Sequence, residues 1–231
     1  MSVSKLYPGV LGEDDGEALE LAESERSDVR FKAMPEFLKE ESEPDGAAKG
    51  TATHLIMQFA DFDNMKARGV ERELERLVSD GFIDSNAAES ANKEEIGAFL
   101  KSGFFARMTA AERLWREFRF NLRLDAASFT ENKEKADELD GETLLVQGVI
   151  DGFFLEGDNI VLFDYKTDRL TDYEISHPEL AEKKLCERHA QQLYYYKLAL
   201  EEMFEREVRD VYIYSLPLGR EVRVDFSAVM K

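Results

Sequence analysis

Asp151, Asp164 and Lys166 lie in two apolar runs, Gly148-Val-Ile-Asp-Gly-Phe-Phe154 and Ile160-Val-Leu-Phe-Asp-Tyr-Lys166, separated by Glu156-Gly-Asp-Asn159. Gly, Asp and Asn tolerate the positive φ angles of short hairpin turns, so the two runs read as paired strands. With Gly157 and Asp158 as the loop, paired residue numbers sum to 315 and Asp151 stands opposite Asp164. Directly opposed residues share a face, with Cβ atoms about 5 Å apart. Lys166, two residues beyond Asp164, shares that face. A turn one residue later sets Asp151 against Lys166 instead; in both registers two acids and an amine converge. Two carboxylates in apolar surroundings resist both being charged unless a cation lies between them. Mg²⁺, a hard cation that takes one or two carboxylates plus waters and substrate oxygens, answers that need. Such an ion acidifies a bound water and neutralises charge on a phosphoryl group, and an adjacent lysine holds a phosphate or positions the water. An exposed Asp/Lys cross-strand pair at a strand end fits the same residues, and the motif alone leaves both readings open.

Three further groups bear on that choice. In Gln192-Leu-Tyr-Tyr-Tyr196, Gln192 and Tyr196 are i and i+4 and share one helical face. An amide and a phenol there suit ordering a scissile phosphate, a water or the lysine; they suit equally an amphipathic core helix with tyrosine tips in solvent. His54, near the start of an apolar helical stripe, is either a ligand or a structural histidine. Lys183, Lys184, Arg188 and His189 either track a phosphate backbone or form a solvated face.

The elements that must position these groups follow from periodicity. Ala52, Leu55, Ile56 and Phe59 mark one helix. Gly69–Ser79 marks a second, with Leu74, Leu77 and Val78 inward. A third is expected from Ser85, as N-cap, to Lys101, followed by a short turn over 102–110. From Ala111 the period changes: Leu114, Phe118, Phe120, Leu122 and Leu124 alternate with Glu117, Arg119, Asn121 and Arg123, a half-buried strand. The charged stretch 131–142 reads as a loop, 168–180 as another, and Glu179–Glu205 as a long helix. Strands over Val208–Leu216 and Glu221–Phe226 close the chain. Helices, three strands, a helix and two strands give a mixed α/β (α+β) class, one sheet with helices against it. Residues 1–45 form an acidic lead-in with a possible short helix over Glu17–Ser27, and the folded domain is expected over 46–231.

The 231 residues are 43% hydrophobic with 16 Phe and 8 Tyr, ample for a core. The single Cys186 excludes an internal disulfide framework and any multi-cysteine zinc or iron–sulfur site within the chain, in keeping with a cytoplasmic location. No apolar run approaches a membrane span of about 18 residues, so no membrane partner is expected. A net charge of −19 argues against autonomous nucleic-acid capture, which needs a basic footprint. About half of it is local: Leu11 to Asp45 holds 13 acids and 4 bases.

Taken together, Gly50-Thr-Ala-Thr-His54, Gly148-Val-Ile-Asp151, Asp164-Tyr-Lys-Thr167 and Gln192-Leu-Tyr-Tyr-Tyr196 resemble the motif order of the RecB-like branch of PD-(D/E)XK nucleases. Met34-Pro-Glu-Phe37 and Trp115-Arg-Glu-Phe-Arg-Phe120 extend the resemblance to the C-terminal nuclease domains of AddA-type helicase–nuclease subunits, over roughly residues 34–218. The resemblance implies a restriction-endonuclease-like fold and a Mg²⁺-dependent, exonuclease-type deoxyribonuclease, with Mn²⁺ as substitute. Asp151 and Asp164 would bind the metal, with His54 and the Tyr165 carbonyl as further ligands. Lys166 would position or activate the attacking water, and Gln192 and Tyr196 would support it at the rim. Glu117 matches a recurrent acid whose role the resemblance does not fix. The implied partners are single-stranded DNA, a helicase region of the same polypeptide and a second nuclease/helicase subunit, working at double-strand-break ends in recombination. No Walker phosphate loop occurs in this sequence.

Overall fold

The computed structural model describes residues 44–126 and 141–226. The expectations for the acidic lead-in before Pro44, the Glu17–Ser27 helix, Met34–Phe37 and nearly all of the 131–142 loop lie outside the described residues. Among the described residues, six helices come first: α1 (Pro44–Phe59), α2 (Phe62–Arg68), α3 (Val70–Ser79), α4 (Ser85–Ser90), α5 (Lys93–Leu100) and α6 (Gly103–Thr109). Strands β1 (Leu114–Asp125), β2 (Thr143–Glu156) and β3 (Asn159–Lys166) follow, then helices α7 (Asp172–Ser176) and α8 (Pro178–Phe204), and strands β4 (Val208–Ser215) and β5 (Arg220–Arg223). The five strands form one mixed sheet in the order β1-β2-β3-β4-β5. β2 and β3 are antiparallel, β3 and β4 parallel, β4 and β5 antiparallel. The parallel pair is joined through α8, the crossover such a pair requires.

The expected helix Ser85–Lys101 is two helices, because the chain supplies two caps. Asp84, not Ser85, accepts from Ala87 N, and Asn92 accepts from Glu94 N and Glu95 N to start α5. Residues 103–109 are helical rather than a turn, capped by Ser102. The 168–180 loop contains α7, started by a reciprocal capping box between Thr171 and Glu174. The last strand is shorter than expected, Arg220–Arg223.

Among the described residues, contacts divide the chain into two units, 44–119 with 149–226, and 120–126 with 141–148. In the described part of the smaller unit, Ala126 N donates to Glu142 O and Asn121 meets Gln147. The Phe120 ring lies where a Gly148 side chain would begin.

In the larger unit, α2–α6 and the second half of α1 build an aromatic core on one face of the sheet. Phe99 packs edge-on against Tyr165 and Tyr214, and Phe104 against Phe163 and Phe154. Phe154, Val161, Phe163 and Tyr165 point into this core, so by the strand alternation Asp151, Phe153, Leu162, Asp164 and Lys166 point to the opposite face. There the α8 residue Phe204 packs with Phe153, Trp115 and Phe118.

The hairpin register follows the turn chemistry. Gly157 has φ 60°, and the pairs run from Glu156↔Asn159 to Gly152↔Phe163, each summing to 315. At Gly152 the opposed Phe163 ring crosses the backbone so closely that a Cβ would lie 2.1 Å from its Cζ. Ordinarily Gly→Ala in a strand stabilises through the unfolded chain. Here the ring is fully buried among Phe104, Phe154 and Tyr165 and has nowhere to go. Gly152→Ala is therefore expected to destabilise the fold by about 3 kcal/mol, the upper part of the overpacking range. Urea denaturation checks this; an unchanged or higher midpoint contradicts it.

Candidate active site

The two strands of the hairpin part company beyond Gly152↔Phe163. At that point the Tyr165 N–H donates to Asp151 Oδ2 at 2.8 Å, so a side-chain carboxylate takes the place of a ladder acceptor. Its other oxygen, Oδ1, lies 3.1 Å from His54 Nδ1, with His54 brought in by α1. Small residues let α1 approach: a Cβ on Gly50 would stand 3.2 Å from Thr167 Oγ1, just past the end of β3. Asp151 is thus fixed from two sides by groups 14 and 97 residues away in sequence.

Glu117 completes this cluster. One ligand atom from each of His54, Glu117 and Asp151 falls within 4.8 Å of the others. Glu117 reaches the cluster through a break in strand geometry: its φ is 53°, in the left-handed region that non-glycine residues rarely enter. The break shows in the packing. Trp115 and Phe118, three residues apart, both contact Phe153, with ring centroids at 4.7 and 5.2 Å. A regular strand would send them to opposite faces, and the kink at Glu117 absorbs the extra residue as a β-bulge does.

Asp164 and Lys166 lie along the same face. Lys166 Nζ is 2.8 Å from Asp164 Oδ2, a buried ion pair. The Lys166 ammonium donates to Gln192 Oε1 at 3.1 Å, and Gln192 Nε2 donates to the Tyr196 hydroxyl at 2.9 Å. The i, i+4 pair on α8 therefore holds the lysine. Tyr165 contributes backbone only; its ring lies in the core on the other face, its hydroxyl beside Met108 Sδ.

The electrostatics follow from gathering three carboxylates, Asp151 and Asp164 buried and Glu117 half-buried. Asp151 is held below the ordinary carboxylate range: burial works against ionisation, but the His54 charge and hydrogen bond, Lys166 and the Tyr165 N–H outweigh it. Asp164 is pushed up, first by burial and then by repulsion from Asp151, and Lys166 offsets only part of this. Glu117 is raised to about 7 by desolvation and then by Asp151. His54 rises to about 9, chiefly through the Asp151 charge. The Lys166 amine, despite burial, is raised by Asp164 and Asp151 and stays an ammonium. In such a site protons compensate the crowded carboxylates. A divalent cation would do so better: the donors are oxygen-rich and the array is acidic, three carboxylates with one histidine and one ammonium. The residues present fit a hard divalent metal.

The basic run on α8 is committed elsewhere. Arg188 and His189 bind Asp168, Lys184 binds Glu174 and Lys183 pairs with Glu187. The Asp168 and Glu174 contacts pin the segment after β3 to α8 and keep Lys166 and Gln192 in register, whereas Lys183–Glu187 is an exposed pair within α8. Glu117 is the site acid whose placement sequence alternation misses; the signal was Trp115 and Phe118, two large aromatics at odd spacing.

A mixed sheet that splays at the hairpin, gathering Asp, Asp-x-Lys and a supporting glutamine on one face, defines a nuclease-type core. A family model of the PD-(D/E)XK nuclease superfamily matches residues 23–225, and the chain belongs to that superfamily. It is also similar to several proteins named as subunits of ATP-dependent helicase/nucleases. One, from Clostridium acetobutylicum, is 32% identical over 171 residues, covering 72% of this chain and 13% of the relative. Another, from Acetivibrio thermocellus, is 34% identical over 167 residues, covering 72% and 12%. A third, from Lachnoclostridium phytofermentans, is 30% identical over 223 residues, covering 83% and 16%. The chain spans well under a fifth of the length of the curated relatives it matches.

Proposed function

We propose that residues 46–231 form the nuclease domain of an ATP-dependent helicase–nuclease and hydrolyse phosphodiester bonds in single-stranded DNA with Mg²⁺, for which Mn²⁺ substitutes. The work is exonuclease-type processing of double-strand-break ends in the cytoplasm. The helicase region of the same polypeptide and a second subunit deliver the strand. The observation that carries this reading is the convergence of His54, Glu117 and Asp151 beside the Asp164–Lys166–Gln192 chain. The names of the relatives support the helicase connection.

Asp151 and Asp164 would hold the metal, with His54, the Tyr165 carbonyl and Glu117 as further ligands. When bound, the ion would supply an acidified water and neutralise charge on the phosphoryl group. The chain's own residues do the rest. Lys166, an ammonium fixed by Asp164 and Gln192, donates hydrogen bonds to the water or a nonbridging phosphate oxygen rather than acting as a base. Tyr196 keeps the Gln192 amide turned so that its oxygen faces the lysine. The committed basic run and the net charge of −19 support delivery of DNA rather than capture. Among the described residues no helix is long and apolar enough to cross a membrane.

The test is cleavage of labelled single-stranded DNA by the chain, alone and joined to its helicase region, in Mg²⁺ and in EDTA, with nucleotides as competing substrates. Cleavage of DNA that EDTA abolishes supports the reading. No calorimetric binding of Mg²⁺ or Mn²⁺, with no cleavage in either form, favours a non-catalytic scaffold. Preference for nucleotides favours a small-phosphate hydrolase.

A further inference from the structure

The structure assigns Arg116 the role of a positioning residue that sets the spacing between His54 and Glu117, and through it the strength of divalent-metal binding. The inference rests on the metal site proposed above. The Arg116 side chain makes its hydrogen bonds at the end of α1, while its charge offsets a small part of the upward shift of the adjacent Glu117 carboxyl. Its Nη1 donates to Met57 O at 3.0 Å and to Ala60 O at 2.9 Å. Its guanidinium lies 4.5 Å from the Phe62 ring centroid at the start of α2. The last carbonyls of a helix have no partner within it and carry the negative end of its dipole, so a half-buried cation holding one of them, Met57 O, together with Ala60 O just past the helix, is a firm anchor. Arg76 takes a third, Phe59 O, at 3.3 Å.

What makes Arg116 more than a cap is where its own backbone goes. The next residue is Glu117, at φ 53°. Arg116 is turned to the helix face and Glu117 to the opposite face, where Phe118 follows it onto Phe153. Three residues before Met57, on the same helix, is His54. One side chain thus ties the helix that carries His54 to the strand position from which Glu117 departs. A residue held in the left-handed region persists only where its surroundings over-determine it. Clamping Arg116 on α1 while Trp115 and Phe118 are both held on Phe153 is such a constraint. Without the clamp, β1 can relax toward regular alternation, carrying the Glu117 carboxylate away from His54 and Asp151.

The experiment uses the full 231-residue chain and Mn²⁺ alone, by calorimetry with thermal melts in parallel, on wild type, Arg116→Met, Arg116→Lys, Glu117→Gln, Arg116→Met/Glu117→Gln and Arg76→Met. Arg116→Met is expected to weaken Mn²⁺ binding about tenfold, the lower range for groups that orient metal ligands. Arg116→Lys, whose ammonium has donors for both carbonyls but a shorter reach and no planar face to lay on Phe62, should recover part of it. The double variant should bind no more weakly than Glu117→Gln, because Arg116 acts through that acid. Arg76→Met, which loosens the same helix end and a half-buried ion pair with Glu73, should lower the melting temperature yet keep Mn²⁺ affinity within about twofold, a change near the resolution of RT ln K. Folded Arg116→Met with wild-type affinity, additive losses in the double variant, or an equal loss in Arg76→Met each overturns the inference. Wild type that binds no Mn²⁺ overturns the underlying metal reading as well, so the two failures are distinct.

Discussion

Lys166→Met is expected to reduce DNA cleavage to background, a loss of about three orders of magnitude, while the protein stays folded and still binds Mn²⁺. The charge is the point of the substitution, since methionine keeps most of the length and apolar stem. Lys166 is buried, lies 2.8 Å from Asp164 and is oriented by Gln192, so the field it applies is fixed before substrate arrives. Removing one partner of a buried pair costs about 3–5 kcal/mol when it strands a charge. Asp164 has a cheaper route: its carboxyl is already raised by burial and by Asp151, and in the metal-free variant it takes up a proton. The variant should therefore melt lower in the absence of metal and recover when Mn²⁺ is added. Cleavage of labelled single strands, circular dichroism and calorimetry on one preparation check all three parts. Wild-type-like cleavage by the variant would remove Lys166 from the mechanism.

Much of this arrangement was legible in the sequence, for local reasons. Glu156-Gly-Asp-Asn159 allows two turns one residue apart, and a turn fixes a hairpin register; the chain takes the one with Gly157 and Asp158 in the loop, and every pair in the observed ladder follows from it. The i, i+4 spacing of Gln192 and Tyr196 likewise determines that they meet, and the alternation after Phe118 marks a strand. What could not be read depends on contacts between distant segments. Nothing in Trp-Arg-Glu-Phe announces a left-handed glutamate, because glutamate has no preference for that region; tertiary packing imposes it. Whether the α8 basic residues face solvent or acids depended on where Asp168 and Glu174 would lie. The break between α4 and α5 was closer to legible: Asn92 is a strong cap, and Glu95 follows it at the third position. The capping box of α7, Thr171-Asp-Tyr-Glu174, was also present to be seen.

The same crowding that favours a metal makes its binding strongly dependent on pH. His54 has its ordinary value of 6.5 raised to about 9 by Asp151. The stability it contributes is complete below 6.5 and is lost as pH rises through 9. Glu117 is raised from 4.5 to about 7, so the folded state holds its proton more tightly than the unfolded one. Its contribution also falls as pH climbs, over the window 4.5 to 7. Both slopes have one sign, so the metal-free protein should lose stability from mildly acidic pH to about 9. A divalent ion reverses the slope, because it competes with these protons. His54 must be neutral to ligate, and as a bystander it would be repelled into neutrality by the ion. From about pH 6 to 8 the His54 proton alone should raise apparent Mn²⁺ affinity by about a hundredfold, with Glu117 adding to it. Calorimetry at about pH 7 in buffers of different ionisation enthalpy should find at least about one proton released per ion bound, and melting curves should separate with and without Mn²⁺ as pH increases. An affinity flat across this range, without proton release, would show that neither group faces the bound ion and would confine the metal to Asp151 and Asp164.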